Sequence, residues 1–395
     1  MRRPRLTLVE FSPSGGLFQF ALQLADGLAE VGYDVELITG RNPELSPRTA
    51  GVRLVPILPT WHPQPAGVES RWLRKPRRAW RAFRYVDAWR RTERHLRRTR
   101  PDIVQFSEWR FALDGGAIAI LSRRLPGVLF GSVAHTPRPL AEQRTGGGLR
   151  KTGWLLNRAL TAAYGRMDVV FVLGKNSRAD LLAAFPHVRR VEVIPHGGAD
   201  ALLAAPSSAP SSAPPRVLLF GTIARYKGVD LLLDAWPLVR EQSPDAELVI
   251  AGAPVDVDIE ALRRRSAELG GFDLRLGYVS TEAVAVLIAG ARVLVTPYLI
   301  ANQSGVVHLA HSAGRPVVTT DVGDLAAAVA HDRTGLVVPP ADPRALADAL
   351  VRMLNDPAAA DRMGAAGRDR LAAEATWPQV AGQIAAVYDD LQRAP

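Results

Sequence analysis

The chain has 395 residues, 47% of them hydrophobic and 22% charged, with a mean hydropathy near zero and no cysteine. That mixture excludes a disordered chain, a disulfide scaffold, a zinc–thiolate centre and a thiol nucleophile, and no apolar run approaches the roughly 18 residues of a membrane span. The net charge of +10 is unevenly divided: residues 1–200 hold 32 Lys and Arg against 17 Asp and Glu, and the remainder 17 against 22.

The basic start, MRRPRLTLVEFSPSGG, has its apolar run broken by Glu10 and Pro13, so a secretory signal is not expected and the chain reads as cytoplasmic. Residues 5–10 are predicted as a strand, and residues 12–16 as a small-residue loop. Leu17, Phe20, Ala21, Leu24 and Leu28 fall at helical spacing, and a second strand begins at 34–38. Further short apolar runs at 102–106, 128–133 and 168–173 alternate with helical stretches. This alternation implies a parallel sheet covered on both faces.

At 204–215 the sequence becomes rich in Pro, Ser and Ala, which predicts an exposed linker after a first domain of residues 1–200. The alternation then restarts and defines a second domain over 216–376. Its predicted strands lie at 217–220, 247–251, 274–276, 293–296 and 317–319, with helices at 229–239, 306–313 and 345–354. A last helix, about 378–391, is expected to pack back toward the first domain. The fold class is therefore α/β, with two doubly wound, Rossmann-like parallel-sheet domains.

Residues 71–100 carry 13 Lys and Arg against Asp87 and Glu93, interleaved with Trp72, Trp80, Phe83, Tyr85 and Trp89. One reading is a solvated helix with an aromatic stripe in the core. The other is an interfacial helix, its aromatics at headgroup level and its arginines on anionic lipid, which would make the protein peripheral on the inner face of a membrane. Nothing in the chain resembles a nucleic-acid-binding module, so no nucleic acid partner is expected.

Open α/β sheets bind ligands beyond the carboxyl ends of their strands, and four loops stand there. In the first, Gly15 and Gly16 let backbone approach a ligand at a helix start; the loop is neither GxGxxG nor a Walker loop. In the second, His135 follows a strand, placed to bond a substrate hydroxyl or a backbone carbonyl. The third is Gly221-Thr222-Ile223-Ala224-Arg225-Tyr226-Lys227-Gly228, whose two cations ahead of a helix can hold phosphates. In the fourth, Asn302 and Gln303 suit sugar hydroxyls, while Ser304, Gly305 and Val306 open a helix whose amides can receive an anion. No DxD or His/Asp ligand cluster stands at a strand end, so no metal is expected.

The segments FGTIARYKGVDLLLDAW, ELVIAGAP, LGYVST, ARVLVTPY, NQSGVV, AGRPVVTTDVGD and TGLVVPPADPRALADAL, with SPSGGLFQFALQLADGLAEVGYDVELIT and VIPHGGAD before them, follow one another at the spacings of a known family. Together they resemble the retaining GT-B glycosyltransferases of family 4, over nearly the whole chain. The resemblance implies two Rossmann-like domains facing a cleft, no resident cofactor, and a nucleotide-sugar donor, UDP- or GDP-linked. The acceptor would be a glycan, a lipid-linked sugar or a small molecule. It also implies that Arg225, Lys227 and the amides of Ser304–Val306 hold the diphosphate, with Gly15 and Gly16 approaching it. His135 would stand near the donor sugar, and the backbone at Val279 would meet the base.

The chain departs from the family pattern in two ways. Thr222 stands where an arginine commonly follows the loop-three glycine, and Arg225 is the substitute. Two glutamates commonly flank the loop-four helix, whereas here Gln303 stands near the first and Leu309 or Ala310 near the second. The missing acids leave two rivals to glycosyl transfer: a catalytically weakened homologue acting as a scaffold, and a nucleotide-sugar epimerase.

Overall fold

The structure is a computed structural model describing residues 3–59, 74–109, 111–137, 154–199, 202–203 and 208–393. It divides into two compact units, Met1–Gly197 with Trp377–Pro395, and Gly198–Thr376.

In chain order the first unit contains β1 (Arg5–Val9), α1 (Gly16–Glu30), β2 (Asp34–Gly40), β3 (Val52–Leu58), α2 (Arg74–Thr99), β4 (Ile103–Phe106), α3 (Ala112–Arg124), β5 (Leu129–Ala134), α4 (Trp154–Tyr164), β6 (Val169–Val172), α5 (Lys175–Ala184) and β7 (Val191–Val193). The second contains β8 (Arg216–Phe220), α6 (Val229–Gln242), β9 (Glu247–Gly252), α7 (Ile259–Leu269), β10 (Phe272–Leu276), α8 (Thr281–Ala289), β11 (Val293–Thr296), α9 (Gly305–Ser312), β12 (Val317–Thr320), α10 (Leu325–Ala328), β13 (Gly335–Val338), α11 (Pro343–Asn355) and α12 (Pro357–Glu374). The last helix, α13 (Trp377–Arg393), belongs to the first unit.

Both sheets are parallel. Their strand orders are β3-β2-β1-β4-β5-β6-β7 and β10-β9-β8-β11-β12-β13. Successive side chains alternate between faces, and here both faces are apolar. Leu8, Leu37 and Phe171 join the core under α1 and α13, while their neighbours Val9, Ile38 and Val170 join the core under α2, α3 and α4. The strands therefore read as continuous apolar runs, as expected of a sheet covered on both sides.

The chain's last helix is fitted to the first unit by missing side chains. A Cβ on Gly27 would lie 2.6 Å from the Trp377 carbonyl oxygen, and one on Gly131 of β5 would lie 1.9 Å from the Tyr388 hydroxyl. Through that gap the fully buried Tyr388 donates to Gln105 Oε1 at 2.8 Å.

Where it is described, the stretch expected as an exposed linker is exposed at Ser208, Ala209, Ser211, Ser212 and Pro214, but it is also anchored. Residues 208–215 lie against the second unit: Pro210 and Ala213 are buried, and residues 210–212 form a short 3-10 turn. Arg315 donates to the Ser208 carbonyl at 2.6 Å, Arg292 donates to the Ala213 carbonyl at 2.8 Å, and the Ser211 amide donates to Asp361 at 2.7 Å. Composition argued for solvent because Pro, Ser and Ala build no core of their own, but Pro210 and Ala213 borrow that of the second unit. Two of the stretch's carbonyls, those of Ser208 and Ala213, are satisfied by arginines. Residues 204–207 lie outside the described residues.

Candidate functional site

In the second unit the chain runs from β8 outward to β9 and β10, then returns to lay β11 on the other side of β8. Loops that leave the carboxyl ends of such neighbours diverge and leave a crevice between them. Here those loops are 221–228 and 297–304, the third and fourth loops of the sequence reading.

Their close approach depends on glycine. Gly228, the N-cap of α6, has φ +70°, and a Cβ there would lie 1.8 Å from the Pro297 carbonyl oxygen. The Leu299 amide also donates to the Tyr226 carbonyl at 2.8 Å, tying one loop to the other. Gly221 has φ +106°, and a Cβ there would lie 2.9 Å from Lys227 Nζ and 3.8 Å from Val306 Cγ2. The space beside Gly221 is thus where the ammonium of the third loop meets the first turn of α9.

Lys227 closes a 3-10 turn over Arg225–Lys227 and is only 8% exposed. Its Nζ lies 5.3 Å from the centroid of the Tyr298 ring, and among the described residues no carboxylate pairs with it. Tyr298 continues the arrangement, its hydroxyl 3.3 Å from Ser304 Oγ, which in turn accepts the Val306 amide at 3.2 Å as the N-cap of α9. Beside it Asn302 Nδ2 and Gln303 Oε1 are buried without a hydrogen-bond partner among the described residues. Thr320 donates to the Tyr298 carbonyl at 2.5 Å, and Gly323 lets the following turn lie against Ala301.

Lys227, Ser304, Gly305 and Val306 therefore come together, with Asn302 and Gln303 on the same loop. Arg225 and Thr222 stand on the same third loop as Lys227. Both are exposed, and the Arg225 backbone amide donates to Asp256 at 2.9 Å. Val279 follows β10 on the same edge of the sheet, half-buried, between Gly277 and the α8 cap Ser280, with β9 separating its strand from β8.

In the first unit the corresponding divergence lies between β1 and β4. Gly15 is the N-cap of α1 at φ +82°, ψ −179°, and neither Gly15 nor Gly16 has anything within 4 Å of where a Cβ would stand. His135, at the end of β5, is buried with its ring edge-on to Phe20 at 4.6 Å. Phe20 also meets His196 at 5.1 Å and Trp377 at 5.0 Å. One turn of α1 thus connects the glycine loop to His135. His196 donates from Nδ1 to the Gly197 carbonyl at 2.8 Å, and burial lowers its pKa to about 4. Among the described residues no three His, Asp or Glu side chains gather in a metal-binding set.

The Arg-rich stretch splits in two. Trp89 is buried and, with Tyr85, donates to Asp114, whereas Trp80 and Phe83 are 55% and 64% exposed. Residues 71–73 lie outside the described residues.

Residues 14–198 match the family model for Glycosyltransferase Family 4, and residues 214–356 match that for Glycosyl transferases group 1. The chain belongs to the family 4, group 1 glycosyltransferases. It is 28% identical to a glycogen synthase of Mycobacterium tuberculosis over 95% of this chain and 91% of that one. Among solved structures it is similar to sucrose-phosphate synthase from Thermosynechococcus elongatus, with TM-score 0.73 and 23% identity, covering 98% of this chain and 99% of that one. It is also similar to Anabaena HepE in complex with UDP and glucose, with TM-score 0.69 and 14% identity, covering 97% and 99%. The fold is GT-B, with two Rossmann-like parallel-sheet domains, and the protein is a glycosyltransferase.

For this glycosyltransferase the sequence reading missed Tyr298, which bridges Lys227 and Ser304, and His196 and Trp377, which complete the ring cluster at Phe20. A tyrosine just past a strand end was the available signal for the first. His196 lies in the VIPHGGAD segment of the family resemblance, but nothing local pointed to its place in this cluster or to Trp377, because their partner Phe20 lies far away in the chain.

The helix that starts the fourth loop's anion site also carries a pH-sensitive group. His311 of α9 is 3% exposed, its ring so close to Gly367 that a Cβ there would lie 2.7 Å away. Burial lowers its pKa from 6.5 to about 4, opposed by a hydrogen bond with the Thr334 backbone. The unfolded chain binds this proton near pH 6.5 and the folded one only near pH 4, so stability is complete above that window and declines through it as pH falls. Urea midpoints of the second unit's transition, measured from pH 7 to pH 4, should drop through this window. His311→Phe should flatten the profile.

Proposed function

We propose that this glycosyltransferase moves a sugar from a UDP- or GDP-linked donor to an acceptor hydroxyl, with retention of anomeric configuration and without a metal ion. The observation that carries this is Lys227: a nearly buried ammonium with no carboxylate partner among the described residues, set beside the N-terminus of α9. As the anomeric carbon–oxygen bond breaks, its electron pair passes to the diphosphate, whose negative charge grows. A fixed cation and the amides at the start of α9 stabilise that charge more in the transition state than in the ground state. The acceptor hydroxyl attacks the anomeric carbon from the face the diphosphate leaves, and its proton passes to the departing phosphate oxygen. No pair of catalytic carboxylates is then required.

On the same reading Asn302 and Gln303 meet sugar hydroxyls, the backbone at Val279 meets the base, and the amides beginning at Gly15 and Gly16 serve a donor phosphate. His135 stands near the donor sugar. Arg225, exposed as it is, would engage only a bound nucleotide. The names of two similar proteins, a glycogen synthase and a structure with UDP and glucose, support a nucleotide donor and a glycan acceptor. Thermal melting with a panel of nucleotides and nucleotide sugars should show stabilisation by a uridine or guanosine diphosphate species. No shift with any of them would remove the proposal. NMR of the product should show the donor's anomeric configuration, in the presence of EDTA as well as without it.

The partner of the basic half is an anionic membrane surface bearing a lipid-linked acceptor. In support, Trp154 and Leu155 of α4 are 72% and 66% exposed, as Trp80 and Phe83 are on α2. Arg84 lies 4.5 Å over the Trp80 ring, and Arg158 lies 5.3 Å over the Trp154 ring. Arginine beside an exposed indole is an arrangement suited to headgroups. No helix among the described residues is long and apolar enough to cross a membrane. Sedimentation with anionic vesicles should be reduced by high salt and by Trp80→Ala with Phe83→Ala. Equal binding to neutral vesicles would refute the electrostatic account.

A further inference from the structure

Gly15 has a backbone conformation, φ +82° with ψ −179°, that only glycine reaches readily. Such a conformation persists where the surroundings over-determine it, and the contacts that do so here come from β2 and the loop after it. Because β1 and β2 are parallel neighbours, their carboxyl ends share one edge of the sheet. Glu44 spans the loop with two hydrogen bonds: its amide donates to the Pro13 carbonyl at 2.9 Å, and its Oε2 accepts the Gly15 amide at 2.9 Å. Thr39 donates to the Ser12 carbonyl at 2.9 Å, and Glu10 accepts the Ser12 amide at 2.7 Å. Between these anchors Ser14 is 3% exposed, and its hydroxyl has no hydrogen-bond partner among the described residues. A buried hydroxyl in that condition is destabilising unless a ligand meets it.

We propose that Glu44 is a positioning residue, whose carboxylate holds the Gly15 amide and so aims the Ser14 hydroxyl and the first amides of α1 at an anionic donor phosphate. The inference rests on the reading of residues 12–16 as a phosphate loop. Glu44 takes the amide of the cap residue and leaves the amides of the first helical turn, which have no acceptor within the helix, to the ligand. A charge-assisted bond to backbone fixes the loop more firmly than a neutral one. Its negative charge opposes the phosphate, so what Glu44 contributes is geometry.

The test uses the full chain and isothermal titration with UDP and GDP. Glu44→Ala should weaken binding of whichever nucleotide is bound by about tenfold. Glu44→Gln keeps an acceptor oxygen without the charge and should bind as the parent does, or more tightly. Glu44→Asp, too short to reach, should fall between Gln and Ala and provides a milder variant if Ala folds poorly. Equal losses in Ala and Gln would overturn positioning by the acceptor oxygen. Gly15→Ala separates this inference from the reading beneath it. If Gly15→Ala loses affinity and Glu44→Ala does not, the Glu44 role is wrong and the loop reading stands. If neither loses affinity, the loop is not a phosphate site at all.

Discussion

Lys227→Met is expected to slow sugar transfer by about 10²–10³-fold while leaving the second unit as stable as before or more so. The methionine fills nearly the same volume and removes a charge that is 8% exposed and has no carboxylate among the described residues. A desolvated ammonium without an anion is costly to keep. The Tyr298 ring at 5.3 Å repays only part of that, since a cation–π contact contributes about 0.5–2 kcal/mol. Such a group persists in a folded protein when a bound anion uses it. Loss of one fixed donor to developing negative charge lowers kcat/KM by about 10²–10³-fold. The measurement is kcat/KM for the donor beside the thermal midpoint. A melting temperature that falls together with activity would make Lys227 a packing residue, and activity within a few-fold of the parent would remove it from the mechanism.

Gly228→Ala should give the second large effect, this time on both stability and binding. The residue is left-handed at φ +70°, and its added Cβ would fall 1.8 Å from the Pro297 carbonyl oxygen. Left-handed backbone disfavours alanine by about 1–2 kcal/mol, and relief of the collision requires the third and fourth loops to separate. Together these should destabilise the unit by about 2–4 kcal/mol. A displacement near 1 Å between Lys227 and the start of α9 should weaken nucleotide binding or turnover by about 10²-fold. A urea midpoint for Gly228→Ala equal to the parent's would show that neither the left-handed backbone nor the close approach of the loops contributes.

The two Rossmann-like sheets were legible in the chain because strands buried on both faces read as unbroken apolar runs. Val169–Val172 and Val293–Thr296 are examples, each wholly buried. The loops of the candidate site were legible for a related reason: in a parallel sheet the residues after each strand end are brought to one edge whatever else the fold does. The sequence therefore sufficed to nominate Lys227, Ser304 and His135.

Which nominated residues meet was decided by the tertiary structure. Two cations three positions apart look equivalent on paper, yet the 3-10 turn buries Lys227 and leaves Arg225 exposed. Composition made residues 204–215 a linker, whereas Arg292 and Arg315 supply the donors that dock 208–215 on the second unit. Glu44 carried no local signal, and His196 was marked only as part of the VIPHGGAD segment. Their roles come from partners distant along the chain, and the carbonyls and rings they meet are set in place only when the sheets have formed.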